Sequence, residues 1–203
     1  MIKFEKIKEN EMDIFINYHK KLNNLIGFSD DSLNDDEIKA YLKEDLMSDS
    51  EFCILAKEHD EPIGLISVDF SNELEFNGCN YTAAIPLIFV EQKKRNGILS
   101  YDLLKIALKE CKKRETKSIA ISVEDNNPHK FLHFAIADTL IDINQEYLID
   151  GKTVTQYVLG ITDINTTLNM PFSKLAKKVS ETRKNFDKRL NEIKEASSSE
   201  KEL

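Results

Sequence analysis

The sequence predicts a mixed α/β domain over residues 1–162, followed by a charged amphipathic helix. Two observations predict the domain. Apolar residues recur at helical spacing over 11–26 and from Leu99 to Cys111, and between these stretches lie short runs rich in branched residues. The runs are bounded by turn signals, of which Asp150-Gly151 is the strongest hairpin dipeptide. A third observation predicts the helix. Beyond the polar linker 163–170, Phe172, Leu175, Val179, Phe186, Leu190 and Ile193 follow one another at steps of three, four or seven residues.

Taken in order, Ile2, Phe4 and Ile7 start a short strand, and residues 11–26 form the first helix. The stretch 28–34 is a loop. Asn34 or Asp35 caps a second helix over 35–47, whose first turn holds Asp36 and Glu37, where the macrodipole favours acids. Phe52–Ala56 and Ile63–Val68 form a hairpin across the polar turn 57–62. Tyr81–Val90 is apolar on both faces, as in a central strand, yet Pro86 inside it cannot donate to a ladder, so an edge or a bulge is expected there. A helix follows the turn 91–96. Ser118–Val123 is a strand, Asn126-Asn127-Pro128 caps a helix near 128–137, and two strands near 139–148 and 153–161 close the domain. The order is β-α-α-β-β-β-α-β-α-β-β, with about six to seven strands in one mixed sheet flanked by helices.

Composition bounds what this domain does. Of 203 residues, 41% are hydrophobic and 32% charged, which is enough for a core and too polar for a membrane protein. No apolar run reaches the roughly 18 residues of a spanning helix, and MIKFEKIKENE lacks the apolar region of a secretory signal. Cys53, Cys79 and Cys111 are scattered and odd in number, against a disulfide framework or a zinc site; a cytoplasmic protein without a metal is expected.

The net charge of −8 is unevenly spread. Residues 1–162 carry −10, and residues 163–203 carry +2. From Asp30 to Glu51, nine carboxylates face only Lys39 and Lys43. The bases gather at Lys93-Lys94-Arg95 and Lys112-Lys113-Arg114. So acidic a body repels nucleic-acid phosphates, and no nucleic-acid partner is expected.

The segment Phe89-Val-Glu-Gln-Lys-Lys-Arg-Asn-Gly-Ile-Leu-Ser100 runs from a strand through a basic turn into a helix, an arrangement that turns free backbone N–H groups toward an anion. An ordinary solvated strand-to-helix turn has the same residues. The segment resembles the GCN5-related N-acetyltransferases (GNAT), whose pattern is a Val ending the fourth strand, then Arg/Gln-x-x-Gly-x-Gly/Ala, then a helix with paired leucines. Val90, Arg95 and Leu103-Leu104 match in one register, with Ile98 and Ser100 on the motif glycines. In a second, Gly97-Ile98 matches and Leu99 falls on the last glycine. The hairpin Cys53–Val68, with Glu61-Pro62-Ile63-Gly64, resembles the family's second and third strands, and Val123–Asn127 resembles its fifth strand.

The resemblance implies acetyl-CoA as co-substrate, held by Phe89, Val90, Arg95, Asn96, Gly97, Ile98, Leu99, Ser100 and Asn127. It implies direct transfer of an acetyl group to an amine, with a splayed fourth strand polarising the thioester carbonyl. Glu91 is a candidate base or a solvated turn carboxylate. His133 is a candidate acid or base, or a structural histidine between Leu132 and Phe134. Phe134 stands where the family often has a Tyr that protonates the thiolate. The acidic stretch 30–51 falls on the acceptor side, and it either attracts a cationic amine (a polyamine, a lysine side chain or an aminoglycoside) or is a solvated helix face. The alternative is a weak or inactive GNAT-like module that acts through its C-terminal helix, which the missing glycines and Phe134 favour. That helix, 171–196, needs an apolar partner, and pairing as a homodimer or with another protein is expected ahead of a membrane, because Glu181, Asp187, Glu192 and Glu195 interrupt its basic face.

Overall fold

In the computed structural model, the described residues are 1–26, 34–71, 75–76, 79–80, 82–95, 98–124, 139–149, 152–160, 169–171 and 173–174, with the single positions 177, 181 and 188. The chain opens with β1 (Ile2–Lys6), makes one 3-10 turn (Glu9–Glu11) and enters α1 (Met12–Ile26) and α2 (Asp35–Met47). Of the two caps the sequence offers, Asn34 and Asp35, it is Asn34 that caps α2. Its side-chain oxygen accepts the N–H groups of Asp36 and Glu37 at 3.0 Å each, and the Glu37 carboxylate accepts the Asn34 N–H at 2.9 Å. Three ion pairs hold α2: Lys20–Asp35 and Lys39–Asp13 tie it to α1, and Lys43–Glu9 ties it to the 3-10 turn before α1. All are largely exposed and worth at most about 1 kcal/mol each. Burial of Leu42, with Ile38 and Leu46 packed beside it, therefore does more to hold α2 on the sheet.

The hairpin of β2 (Glu51–Glu58) and β3 (Glu61–Asp69) turns at His59 and Asp60, with φ of 51° and 65°. Positive φ at both central residues is the turn whose twist suits a two-residue hairpin. Two-residue strands β4 (Glu75–Phe76) and β5 (Cys79–Asn80) pair with each other. The sequence reading gives no strand there, because two residues carry no periodicity. Then come β6 (Ala83–Val90), a 3-10 turn (Gln92–Lys94), α3 (Ile98–Lys113), β7 (Ser118–Glu124), β8 (Thr139–Ile149) and β9 (Lys152–Gly160). The main sheet has seven strands in the order β1-β2-β3-β6-β7-β9-β8. Every neighbour is antiparallel except β6 and β7, which are parallel in the middle of the sheet.

Strand alternation sends side chains into two cores. Ile54, Ala56, Ile66 and Val68 pack with Leu103 and Leu104 under α3. Cys53, Leu55, Leu65 and Leu87 pack with Tyr18 and Leu42 under α1 and α2. Cys53 and Cys111 are both buried free thiols. The Lys57 ammonium anchors the start of α1 by pairing with Glu5 and Glu11.

Gly64 lets α3 close on the sheet. A Cβ there would stand 3.0 Å from the Phe89 carbonyl oxygen, 3.4 Å from Leu103 Cδ1 and 3.5 Å from Leu99 Cδ2. Backbone cannot yield as a side-chain tip can. We expect Gly64→Ala to cost about 1–2 kcal/mol in urea unfolding, as overpacking does, and Gly64→Val to cost more. An unchanged midpoint would contradict this packing.

The predicted helix near 128–137 lies outside the described residues, as do the stripe residues Phe172, Leu175, Val179, Phe186, Leu190 and Ile193. Ser173, Lys174, Lys177, Glu181 and Lys188 are helical. The Tyr101 hydroxyl donates to the Met170 carbonyl at 2.9 Å, which fastens the start of this segment to α3. Among the described residues, no helix is long and apolar enough to cross a membrane.

Candidate active site

The site is built around the parallel pair. Thr82 locks one end of it. Its hydroxyl oxygen accepts the N–H groups of Lys117 and Ser118 at 3.0 Å each and donates to the Ser118 carbonyl at 3.0 Å. Three residues of β6 then pair with β7, from Ala83 opposite Ile119 to Ile85 opposite Ile121. There the pairing stops, although both strands go on. β6 continues along β3 to Val90 opposite Gly64, and β7 continues along β9 to Glu124 opposite Val154.

Pro86, the next residue, explains the parting. It has no N–H to offer β7, and it sits in a bulge. Ser67 faces Leu87 while Asp69 faces Ala84, so β6 holds one residue more than β3 over this interval. The side chains record the same slip. Ala83 and Ile85 join the α3 core, but beyond Pro86 it is Ile88 and Val90 that do so, while Leu87 and Phe89 turn to the α1 core. The sequence expectation of a bulge at Pro86 holds.

The parted strand offers donors. The Glu91 N–H donates to the Ile63 carbonyl at 3.0 Å, so residues 87, 89 and 91 direct their backbone groups at β3. The N–H groups of Ile88 and Val90 consequently point into the gap between β6 and β7. The Val90 carbonyl accepts Arg95 Nε at 2.8 Å.

The basic turn borders the same end of the gap. α3 has no acid in its first turn, and its amino end is positive by macrodipole and by the neighbouring bases. Lys93 is exposed, Lys94 pairs with Glu58 at 2.5 Å, and Arg95 lies over the Phe89 ring, 5.4 Å from its centroid. Leu99, Leu103 and Leu104 are buried and anchor the helix, Ser100 is half-buried, and Ile98 is 52% exposed. Asn96, Gly97, Asn127, His133 and Phe134 lie outside the described residues.

Glu91 and Phe89 occupy the α1 side of the strand. The Tyr18 and Phe89 rings stack with centroids 4.8 Å apart. Lys21 Nζ lies 5.2 Å from the Tyr18 centroid, 5.9 Å from the Phe89 centroid and 2.7 Å from Glu91 Oε1. An ammonium is thus held by two aromatic faces and a carboxylate. Glu91, 34% exposed along its side chain, is neither fully solvated nor sealed from water. The Tyr18 hydroxyl is buried and makes no hydrogen bond by distance and angle. Burial first, and the neighbouring Glu91 charge second, push its phenol well above the usual range, so it stays protonated.

Sequence reasoning singled out Phe89, Val90, Glu91 and Arg95, and these meet at the end of β6. It missed Tyr18 and Lys21. Their three-residue spacing places them on one face of α1, but nothing local connects that face to Glu91, 70 residues further on from Lys21. Among the described residues, no group of three or more His, Cys, Asp or Glu side chains is placed to hold a metal ion.

No protein-family model matches the chain, and no curated protein sequence matches it. Solved structures do. An acetyltransferase of the GNAT family from Streptococcus pneumoniae aligns with a TM-score of 0.62 and 13% identity, covering 79% of this chain and 99% of that one. The protein yncA of Salmonella typhimurium, solved with acetyl-CoA, aligns with a TM-score of 0.63 and 12% identity over 80% of this chain and 95% of that one. A chimeric spermidine N-acetyltransferase SpeG from Vibrio cholerae gives 0.60 and 15% over 83% and 99%. At these identities the likeness is one of architecture. The chain has the GNAT fold.

Proposed function

We propose that this chain is an acyltransferase that moves the acetyl group of acetyl-CoA to a primary amine on a cationic acceptor. The observation that carries the reading is the parting of β6 from β7 after Ile85, with the Ile88 and Val90 N–H groups turned into the gap. Solved structures of similar fold hold acetyl-CoA, and one is named for spermidine, a polyamine.

The residues present fit the co-substrate. Backbone donors at Ile88 and Val90 suit a pantetheine-like chain and a thioester oxygen that gathers charge, as oxyanion donors do. The amino end of α3, with Lys93 and Arg95, suits phosphates. In the register that sets Leu99 on the last motif glycine, its side chain turns inward, toward Gly64; in the other register Ile98, 52% exposed, stands on a motif glycine. On the opposite side of the strand, Glu91 accepts the proton that an ammonium must lose before it attacks. Tyr18 and Phe89 supply faces for that ammonium.

Acetyl-CoA is expected to raise the melting temperature saturably. Arg95→Glu loses the tie to Val90 and reverses the charge beside the gap, and it should weaken the half-saturating concentration at least tenfold. No shift in the wild-type chain would reject the reading. The interaction-module alternative rests on the missing glycines and on Phe134. Thiol release from acetyl-CoA in the presence of a panel of polyamines, aminoglycosides and lysine peptides would reject it.

A further inference from the structure

We propose that Lys21 is itself an acetyl acceptor, so that the chain modifies its own α1 at the site described above; the inference rests on the acyl-CoA reading. The cage of Tyr18, Phe89 and Glu91 already contains a primary ammonium, and it is the chain's own. Three features set this lysine apart. Its ion-pair partner is the carboxylate assigned to take the acceptor's proton, at 2.7 Å. One of its two aromatic neighbours, Phe89, lies on the parted segment of β6, between the two residues whose N–H groups face the gap. It sits on the α1 side of that strand, away from α3 and the basic turn, so an acyl group entering from the α3 side would meet it across the strand.

Of the two other lysines described at this end of the strand, Lys94 pairs with Glu58, and Lys93 lies exposed in the basic turn, on the side assigned to the phosphates. Lys21 is not buried: its side chain is 42% exposed, and its four-carbon stem is free to swing about the aromatic pair. An ammonium held this way is near its base and still movable.

The step balances without a further reagent. Glu91 Oε1 takes one proton from Lys21 Nζ. The freed amine attacks the carbonyl carbon of the thioester, the C–N bond forms, and the C–S bond breaks. The second nitrogen proton is lost as the tetrahedral adduct collapses, and the departing thiolate is protonated. The products are an ε-acetyl-lysine, CoA thiol and one net proton. The modified side chain no longer carries the charge that held Glu91, so the cage is left without its resident cation. In the unmodified chain, an external cationic amine must displace Lys21 to reach Glu91.

The test uses the full-length chain with acetyl-CoA, followed by intact mass and peptide mapping. One acetyl group per chain on Lys21, formed at a rate that does not change on tenfold dilution, is the expected result. Lys21→Arg keeps the cation and the contacts of the cage but has no amine to acylate at neutral pH; it should retain the acetyl-CoA thermal shift and lose the added mass. Glu91→Gln should slow labelling of Lys21 at least tenfold. A saturable thermal shift with Lys21 unmodified overturns the inference and spares the acyl-CoA reading. Labelling spread over exposed lysines, or a rate proportional to protein concentration, also overturns it. Absence of both shift and labelling overturns the two together.

Discussion

Glu91→Gln should lower amine-dependent thiol release from acetyl-CoA by about 10²- to 10³-fold, in the range of a lost general base. Glutamine preserves the size of the side chain and its place beside Lys21 and Tyr18, but it cannot take a proton from an ammonium. The loss should fall on the chemical step. Binding of acetyl-CoA, followed by thermal shift, should survive, because Glu91 points to the α1 side while the expected CoA contacts are the Ile88 and Val90 N–H groups and the amino end of α3. Rates measured at saturating acetyl-CoA and saturating amine separate the two. Full activity in Glu91→Gln would move the proton acceptor to another group.

Glu51 has the second largest expected effect, on stability rather than on transfer. It begins β2 directly opposite Asp69 on β3, a like-charge pair across the ladder. Its Oε1 is buried without a hydrogen-bond partner. Burial first, then the charges of Asp69 and Asp45, raise its pKa to about 7; Ser67 stands near enough to offset part of this, but its geometry falls short of a hydrogen bond. The folded pKa lies above the unfolded one, so the associated stability is fully present below about 4.5 and is lost as pH rises through about 7. Taken whole, the shift corresponds to about 3 kcal/mol. Allowing for partial exposure, we expect Glu51→Gln to stabilise the chain by about 2 kcal/mol at pH 8 and to be near neutral at pH 5. Melting curves at the two pH values decide it, and an equal effect at both would contradict the assignment.

Glu11 works with the opposite sign. Burial acts to raise its pKa, but the hydrogen bond from Lys57, with help from the Lys8 N–H, outweighs burial and holds it below the usual carboxylate range. Its contribution is present above the unfolded pKa and is lost as pH falls through the folded one. The two carboxyls together favour a stability maximum on the acid side of neutrality.

Much of this architecture is legible in the sequence because it is local. The Asn34 cap and its Glu37 partner lie within one turn, and the α3 face follows from leucines at helical spacing. The hairpin at His59-Asp60 needs only two apolar runs and a polar turn. Pro86 is legible for a stronger reason, since a residue without an N–H disturbs any ladder it enters. Which neighbour it would part from was not legible, because that depends on β7, more than thirty residues away in the chain. The same limit hid Lys21 and Tyr18. Their helix reads as amphipathic, and Tyr18 reads as core, which it is, at 1% exposure. Only the packing of α1 over the end of β6 brings Lys21 to Glu91. The β4–β5 pair escaped because two-residue strands leave no pattern, and the inward packing of Leu99 toward Gly64 depends on β3, more than thirty residues earlier in the chain.

The most direct measurement is a structure of the full chain with acetyl-CoA. The thioester of acetyl-CoA is expected between β6 and β7, with its carbonyl oxygen within hydrogen-bond distance of the Ile88 or Val90 N–H and the CoA phosphates at the amino end of α3. Acetyl-CoA bound elsewhere, or a gap left closed at saturating acetyl-CoA, would contradict it.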